Sequence, residues 1–411
     1  MLSICVHLTV SGMLLTLIGD PYFSDGGFAA LKIHPASYLS LIAGGATLLS
    51  VLTRRPPALL VLWTLRELVI GFALLLFTII YEIIFTGIGN PIVLIDTFLP
   101  AYTLAFSLSC ASTDTLRRLG VLLYCGFALN AAIALVENIT RAHLITPMLD
   151  GHIAYESENE FRSLALYDHP LTGSMVSLIG FIMGFRIHRY FVRLTYQLLL
   201  FGALIAFGGR VALLTALIIV VWLPGRKAAV SLLQRKTSLV MVLLTSVFIA
   251  AAVLIGGVMA IESGLGARLR NHFYWDPSAQ VRMAQWEILG HLDLEQWLVG
   301  CARPDLLRQV NMLFLTYGVE VIENFWLLMF ISLGVLGFPF FVAGFVALLV
   351  SCWRQSNYHG RMMIVLVMLV ASTSNSLGRK SPLLVLMVAA LSVLSRHAPL
   401  GQSDNAKQVH A

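Results

Sequence analysis

Apolar runs of about 17–25 residues recur along nearly the whole chain, and that repetition decides what it can fold into. Each run suits a helix crossing a bilayer core of about 30 Å. The 411 residues are 58% hydrophobic and 12% charged, whereas a soluble domain carries about 25% charged residues. Alternating segments of about ten residues, the mark of a membrane barrel, are absent. The fold class read from this pattern is all-α, a polytopic integral membrane protein with about twelve transmembrane helices.

Hydropathy places the spans near 2–19, 37–52, 64–86, 91–110, 119–137, 170–187, 194–209, 211–223, 238–260, 323–350, 361–377 and 382–395. The first run lacks a basic n-region and an A-x-A-like site before Asp20, so it reads as a span and not a cleaved signal. Residues 1–400 form one transmembrane domain, and 401–411 a short cytoplasmic tail. Between the ninth and tenth spans lies a large polar loop, 261–322, the longest soluble-looking segment and the natural place to seek chemistry.

Basic residues settle the orientation. Arg54-Arg55, Arg117-Arg118, the Arg186/Arg189/Arg193 turn, the Arg226/Lys227/Arg235/Lys236 turn and Arg354/Arg361 fall on every second loop. The excess of Lys and Arg on cytoplasmic loops then puts both termini in the cytoplasm. Because the net charge of +6 sits mostly in these short turns, it implies no nucleic-acid partner. The opposite face holds arginines where topology disfavours them: Arg162, Arg210, Arg268, Arg270, Arg282, Arg303, Arg308 and Arg379 with Lys380. Long translocated loops escape the rule, but Arg210 and Arg379 sit in tight turns at span ends, which suggests an anion bound outside. Only Cys301 faces this side, leaving no external disulfide and no metal-ligand spacing.

Each candidate group has a bland reading beside a functional one. Arg162 in the 138–169 loop is a solvated residue or a substrate contact, and His169 beside Asp168 is an interfacial pair or a ligand at the membrane mouth. Gly208-Gly209-Arg210 is a snorkelling arginine or a close-approach step with a guanidinium fork suited to phosphate. Arg282 and Trp286, four apart, share a helical face, as an interfacial anchor or as part of a site. Asp293-Leu294-Glu295 reads as an exposed helix end, without metal. Glu323-Asn324 opens the tenth span, where a carboxylate caps the helix or serves as a general base. Gly334 and Gly337 allow tight helix packing. Inside the spans only the Arg66-Glu67 pair stands out as ionisable.

Taken in order, these motifs resemble the O-antigen ligase and Wzy-type polysaccharide polymerase superfamily. Arg162 precedes a Pro-led span, and Gly209-Arg210-Val211-Ala212 matches its small-residue-Arg step. Arg282 and Trp286 match its R-x-x-x-W helix, Gly300-Cys301-Ala302 loosely matches its turn, and Glu323-Asn324 with Gly334-Val335-Leu336-Gly337 stands at its last motif. The departure is Glu323, where the ligases carry histidine, and it favours a polymerase.

The resemblance implies glycosyl transfer from an undecaprenyl-pyrophosphate-linked glycan to an acceptor sugar hydroxyl. The setting it implies is the periplasmic face of a bacterial inner membrane, with a chain-length regulator as a further partner and no cofactor or metal. Arg210, Arg282 and then Arg162 would hold the departing diphosphate. Glu323 would be the base and His169 its substitute. Asn324 and Trp286 would contact substrate, and Trp326 is a second stacking candidate. Two alternatives remain, a ligase delivering glycan to lipid A core or another acceptor, and a flippase or transporter of lipid-linked sugars.

Overall fold

A computed structural model describes residues 1–19, 22–23, 32–53, 58–87, 91–145, 148–149, 152–153, 161–233, 240, 283–317 and 322–395. The ninth span (238–260, save residue 240), Arg268, Arg270 and Arg282 lie outside the described residues. In chain order the helices are α1 (Leu2–Thr9), α2 (Gly12–Leu17), α3 (Pro35–Thr53), α4 (Ala58–Thr64), α5 (Arg66–Phe85), α6 (Leu99–Ser109), α7 (Thr113–Thr140), α8 (Pro170–Gly184), α9 (Tyr190–Phe207) and α10 (Arg210–Leu233). There follow α11 (Leu294–Val299), α12 (Arg303–Tyr317), α13 (Phe325–Gln355), α14 (Tyr358–Ser372) and α15 (Leu383–Val393). A π-turn, Leu94–Phe98, leads into α6. A two-residue antiparallel pairing, Met148–Leu149 with His152–Ile153, interrupts the loop after α7.

Among the described residues five helices, α3, α5, α7, α9 and α13, are long and apolar enough to cross a membrane. Shorter apolar helices, α8, α14 and α15 among them, pack between them. The chain is thus all-α, and its apolar helices point to a membrane-embedded protein.

The first run is not one continuous helix. Ser11 accepts a hydrogen bond from Leu14 N at 3.1 Å and restarts the chain as α2. A Cβ on Gly12 would overlap the Tyr22 ring. A hydroxyl cap within an apolar run ends one helix and starts the next, which hydropathy does not register.

The longest helices, α5 and α13, lie along each other, and glycine sets their separation. A Cβ on Gly71 would sit 3.0 Å from the Gly344 carbonyl oxygen, and one on Gly337 2.5 Å from the Tyr81 ring. Gly337 therefore packs as expected, but Gly334 does something else. At φ 63° and ψ −179° it breaks the α13 ladder, and an interrupted rung leaves a carbonyl seeking a donor. Cys301 N–H supplies one, donating to Ile331 O at 2.8 Å. The Gly300-Cys301-Ala302 turn thus docks on the kink, and Tyr81 Oη donates to Val299 O at 3.1 Å beside it. A small core of Ile288, Leu292, Cys301, Leu313, Ile322 and Ile331 attaches the described part of the 261–322 segment to α13. Cys301 is buried there, not open to the outside.

Charges mark one end of the bundle. Arg66 and Arg354 both donate to Glu67, Arg186 donates to Val393 O, and Ser356 pairs with Ser395. The Arg66-Glu67 pair therefore starts α5 and is answered across the helix interface. Glu82 lies 16 residues further along α5, about 24 Å away at 1.5 Å per residue, toward the other end.

Candidate functional site

Residues 373–382, between α14 and α15, fold into a turn that carries Arg379 and Lys380. Gly378 N donates to Asn375 O at 3.1 Å, and a Cβ on Gly378 would overlap the Asn375 side chain. Thr97 of the π-turn clamps the next residues. Its hydroxyl donates to Arg379 O at 3.1 Å and accepts from Ser381 N at 3.2 Å. π-Turns inside helices often mark functional sites because they re-aim side chains, and here the turn presents two polar groups at successive positions.

The other is Asp96. Buried, it accepts from Tyr22 Oη at 2.7 Å, His34 N at 2.8 Å and Ser37 Oγ at 2.7 Å. Three segments thereby meet on one carboxylate. Lys380 completes the cluster, donating to Tyr22 O with its ammonium 4.2 Å from the Tyr22 ring centre. Asp96→Ala removes the carboxylate that the Tyr22 hydroxyl, the Ser37 hydroxyl and the His34 N–H share as acceptor. Each such loss costs about 1–3 kcal/mol, so thermal unfolding should show a markedly less stable protein, whereas Asp114→Ala, on an exposed turn, should not.

A cavity of about 390 Å³ gathers the chemistry. Its walls include Lys32, Arg303, Arg379 and Lys380, the carboxylates Glu82 and Asp168, and His169. Apolar side chains of Ile92, Val93, Leu94, Leu328 and Met329 line the rest. Burial draws Lys380 down to about 8; Asp96 and Asp168 oppose that shift, while Lys32 and Arg303 add to it. Cations close enough to depress one another are costly unless an anion joins them.

Asp168 and His169 reach the cavity from the start of α8. Asp168 Oδ1 accepts from Met13 N at 2.7 Å, and burial raises its carboxyl to about 6. His169 is the α8 N-cap, its Nδ1 accepting from Leu171 N at 3.2 Å. Burial and then Arg379 lower His169 to about 3, so the ring is neutral at pH 7. With Nδ1 accepting, its proton sits on Nε2. His169 thus lines the cavity as a neutral ring whose Nδ1 is already engaged.

The other residues singled out from sequence fall elsewhere. Glu323 does not cap the tenth span; Asn324 does, accepting from Trp326 N at 3.0 Å and Leu327 N at 3.2 Å. Glu323 lies one residue before, its N–H and that of Asn324 donating to Gln285 Oε1. It does not line the cavity, yet its charge reaches Arg379, opposing the downward pull of burial on that guanidinium.

Neither Arg162 nor Arg210 lines the cavity; the Arg162 stem lies 3.7 Å from a Cβ built on Gly208, two residues before Arg210. Gly208 needs its left-handed φ of 68° to end α9, and a Cβ on Gly209 would overlap Ser174. The glycine pair thus serves backbone geometry and packing onto α8. Trp286 is exposed in a 3-10 turn, Gln285–His291. Trp326 donates from its indole to Ser372 Oγ at 2.9 Å within an aromatic cluster and does not line the cavity. Asp293 caps α11 through a capping box with Gln296, and Arg308 lies near Asp305 at 3.7 Å on the surface.

Sequence reasoning missed the buried carboxylates. Glu82, Asp96 and Glu137 all lie inside apolar runs and are 4%, 3% and 2% exposed. An ionisable residue within a span is a functional candidate by default, and that signal was present beside the more conspicuous Arg66-Glu67. Glu137 proves structural, accepting from Leu144 N, Leu164 N and Ala165 N and so fixing the loop that carries Arg162. No protein-family model, no curated protein and no solved structure matches this chain, so the chemistry of the site rests on its own residues.

Proposed function

We propose that this protein is a glycosyltransferase polymerising lipid-linked oligosaccharide repeat units, with a polyprenyl diphosphate as the leaving group. The observation that carries the reading is the cavity: Lys32, Arg303, Arg379 and Lys380 share it with an apolar wall. A diphosphate bonded to a polyprenyl chain needs both surfaces, cations for the head and hydrocarbon for the tail. As the glycosidic bond breaks, the diphosphate gains charge, and fixed cations in a low-dielectric site stabilise that charge more in the transition state than before it.

In this reading Arg379, Lys380 and Arg303 hold the diphosphate, and His169 adds an Nε2–H donor. Arg162 and Arg210 form a second cationic step near the α8 and α9 ends, and Arg282 keeps the role that the family resemblance implies. The cavity end of the bundle faces the periplasm of a bacterial inner membrane. The Arg66, Arg186 and Arg354 end faces the cytoplasm, as the positive-inside rule requires. About twelve spans, with 261–322 as the large periplasmic segment, complete the topology.

The buried carboxylates Glu82 and Asp96 give a second reading some support, a proton-coupled carrier of lipid-linked sugar. One experiment separates them. Purified protein in lipid nanodiscs receives lipid-linked repeat units extracted from a strain lacking it. Longer lipid-linked glycans should form with release of undecaprenyl diphosphate. Release only when a lipid A core acceptor is added would mark a ligase, and absence of release under both conditions rejects glycosyl transfer.

A further inference from the structure

Two carboxylates among the described residues line the cavity, and they differ in what they already hold. Asp168 accepts the Met13 N–H at 2.7 Å. Glu82, near the end of α5, is 4% exposed, and its Oε2 has no hydrogen-bond partner. Among the described residues no cation lies within ion-pair distance of it. A buried acceptor left unsatisfied costs about 1–3 kcal/mol, and more when charged. Glu82 lines the cavity, so a hydroxyl donor that reaches its carboxylate there relieves that cost.

The alternatives for a base are engaged elsewhere. His169 Nδ1 is taken by Leu171 N–H, and Glu323 is not on the cavity wall and acts on Arg379.

We infer that Glu82 is the general base for the acceptor sugar hydroxyl, an assignment that rests on the glycosyl-transfer reading. The acceptor O–H proton passes to the Glu82 carboxylate while the acceptor oxygen bonds to the anomeric carbon. The bond from that carbon to the diphosphate oxygen breaks, and its electron pair stays on the diphosphate beside Arg379 and Lys380. Glu82 returns the proton to water as the product leaves. Cations and carboxylate divide the cavity between donor and acceptor.

The test uses full-length protein in nanodiscs, with extracted lipid-linked repeat units for turnover and undecaprenyl diphosphate for binding. Glu82→Gln keeps shape and burial, so transfer should fall about 10²–10⁴-fold with undecaprenyl diphosphate binding undiminished. Transfer near the wild-type rate overturns the assignment. Loss of both transfer and binding overturns it too, since Glu82 would then be structural. Glu82→Asp, with a shorter arm, should transfer slowly and bind normally. If Glu82→Gln cannot be recovered folded, an unchanged Glu82→Asp rate is the overturning result. A wild-type protein that neither binds undecaprenyl diphosphate nor releases it rejects the glycosyl-transfer reading itself, whatever the Glu82 variants do.

Discussion

Arg379→Ala is expected to slow glycan transfer by about 10²–10³-fold, roughly 2.7–4 kcal/mol of transition-state stabilisation, the usual loss when one preorganised charge donor is removed. Arg379 is held through its backbone by Thr97, so the substitution should leave the fold standing. Lys380→Met should weaken undecaprenyl diphosphate binding and also change its pH dependence. In the wild type Lys380 loses its proton as pH rises through about 8, burial being the main cause. Affinity should therefore be full below that value and fall above it.

Asp168 titrates near 6 and His169 near 3. The last ionisation of a phosphate, about 6, is also complete before pH 8. In Lys380→Met the alkaline fall should shrink. Binding measured from pH 7 to 9 tests it, and a fall of unchanged size in the variant separates Lys380 from this pH dependence.

Gly300→Ala should be the most damaging small change on the outer segment. Gly300 has φ 97°, a region costing an alanine about 1–3 kcal/mol. Its new Cβ would overlap the Ser332 carbonyl oxygen, backbone that cannot swing aside, and such overpacking costs about 1–3 kcal/mol more. The turn would lift from the α13 kink, breaking the Cys301 N to Ile331 O bond and carrying Arg303 away from the cavity. We expect a lower unfolding temperature, faster proteolysis within 283–317 and loss of transfer. Gly290→Ala, where an added Cβ meets nothing within 4 Å, is the control and should behave as wild type. Equal protease resistance of the two variants would show that the turn does not dock as described.

Much of the helical framework was legible because hydropathy reports what a helix must do in lipid, and α3, α5, α8, α13 and α15 begin close to where the apolar runs begin. Breaks inside runs were less legible. Ser11 and Gly334 interrupt helices while remaining acceptable to a hydropathy window, because the break depends on a cap and on a docking partner remote in sequence. The site was legible only in part. Arg379 with Lys380 stood out as positive charge in a tight outer turn, and His169 as a group at the membrane mouth. Arg303 was one of several arginines in a long loop, with nothing local to distinguish it from Arg308.

The sequence by itself determined an all-α chain of apolar helices, its basic turns and an excess of arginine in certain outer turns, because segment length and charge are local properties. Which charges share a cavity was decided only by tertiary structure. Lys380 meets Lys32, Arg303 and Asp168 because Asp96 and Thr97 draw their segments together and the Gly334 kink receives the Gly300 turn. Those contacts join residues tens to hundreds of positions apart, and their energy comes from buried groups finding partners across the bundle, which no window along the chain can register.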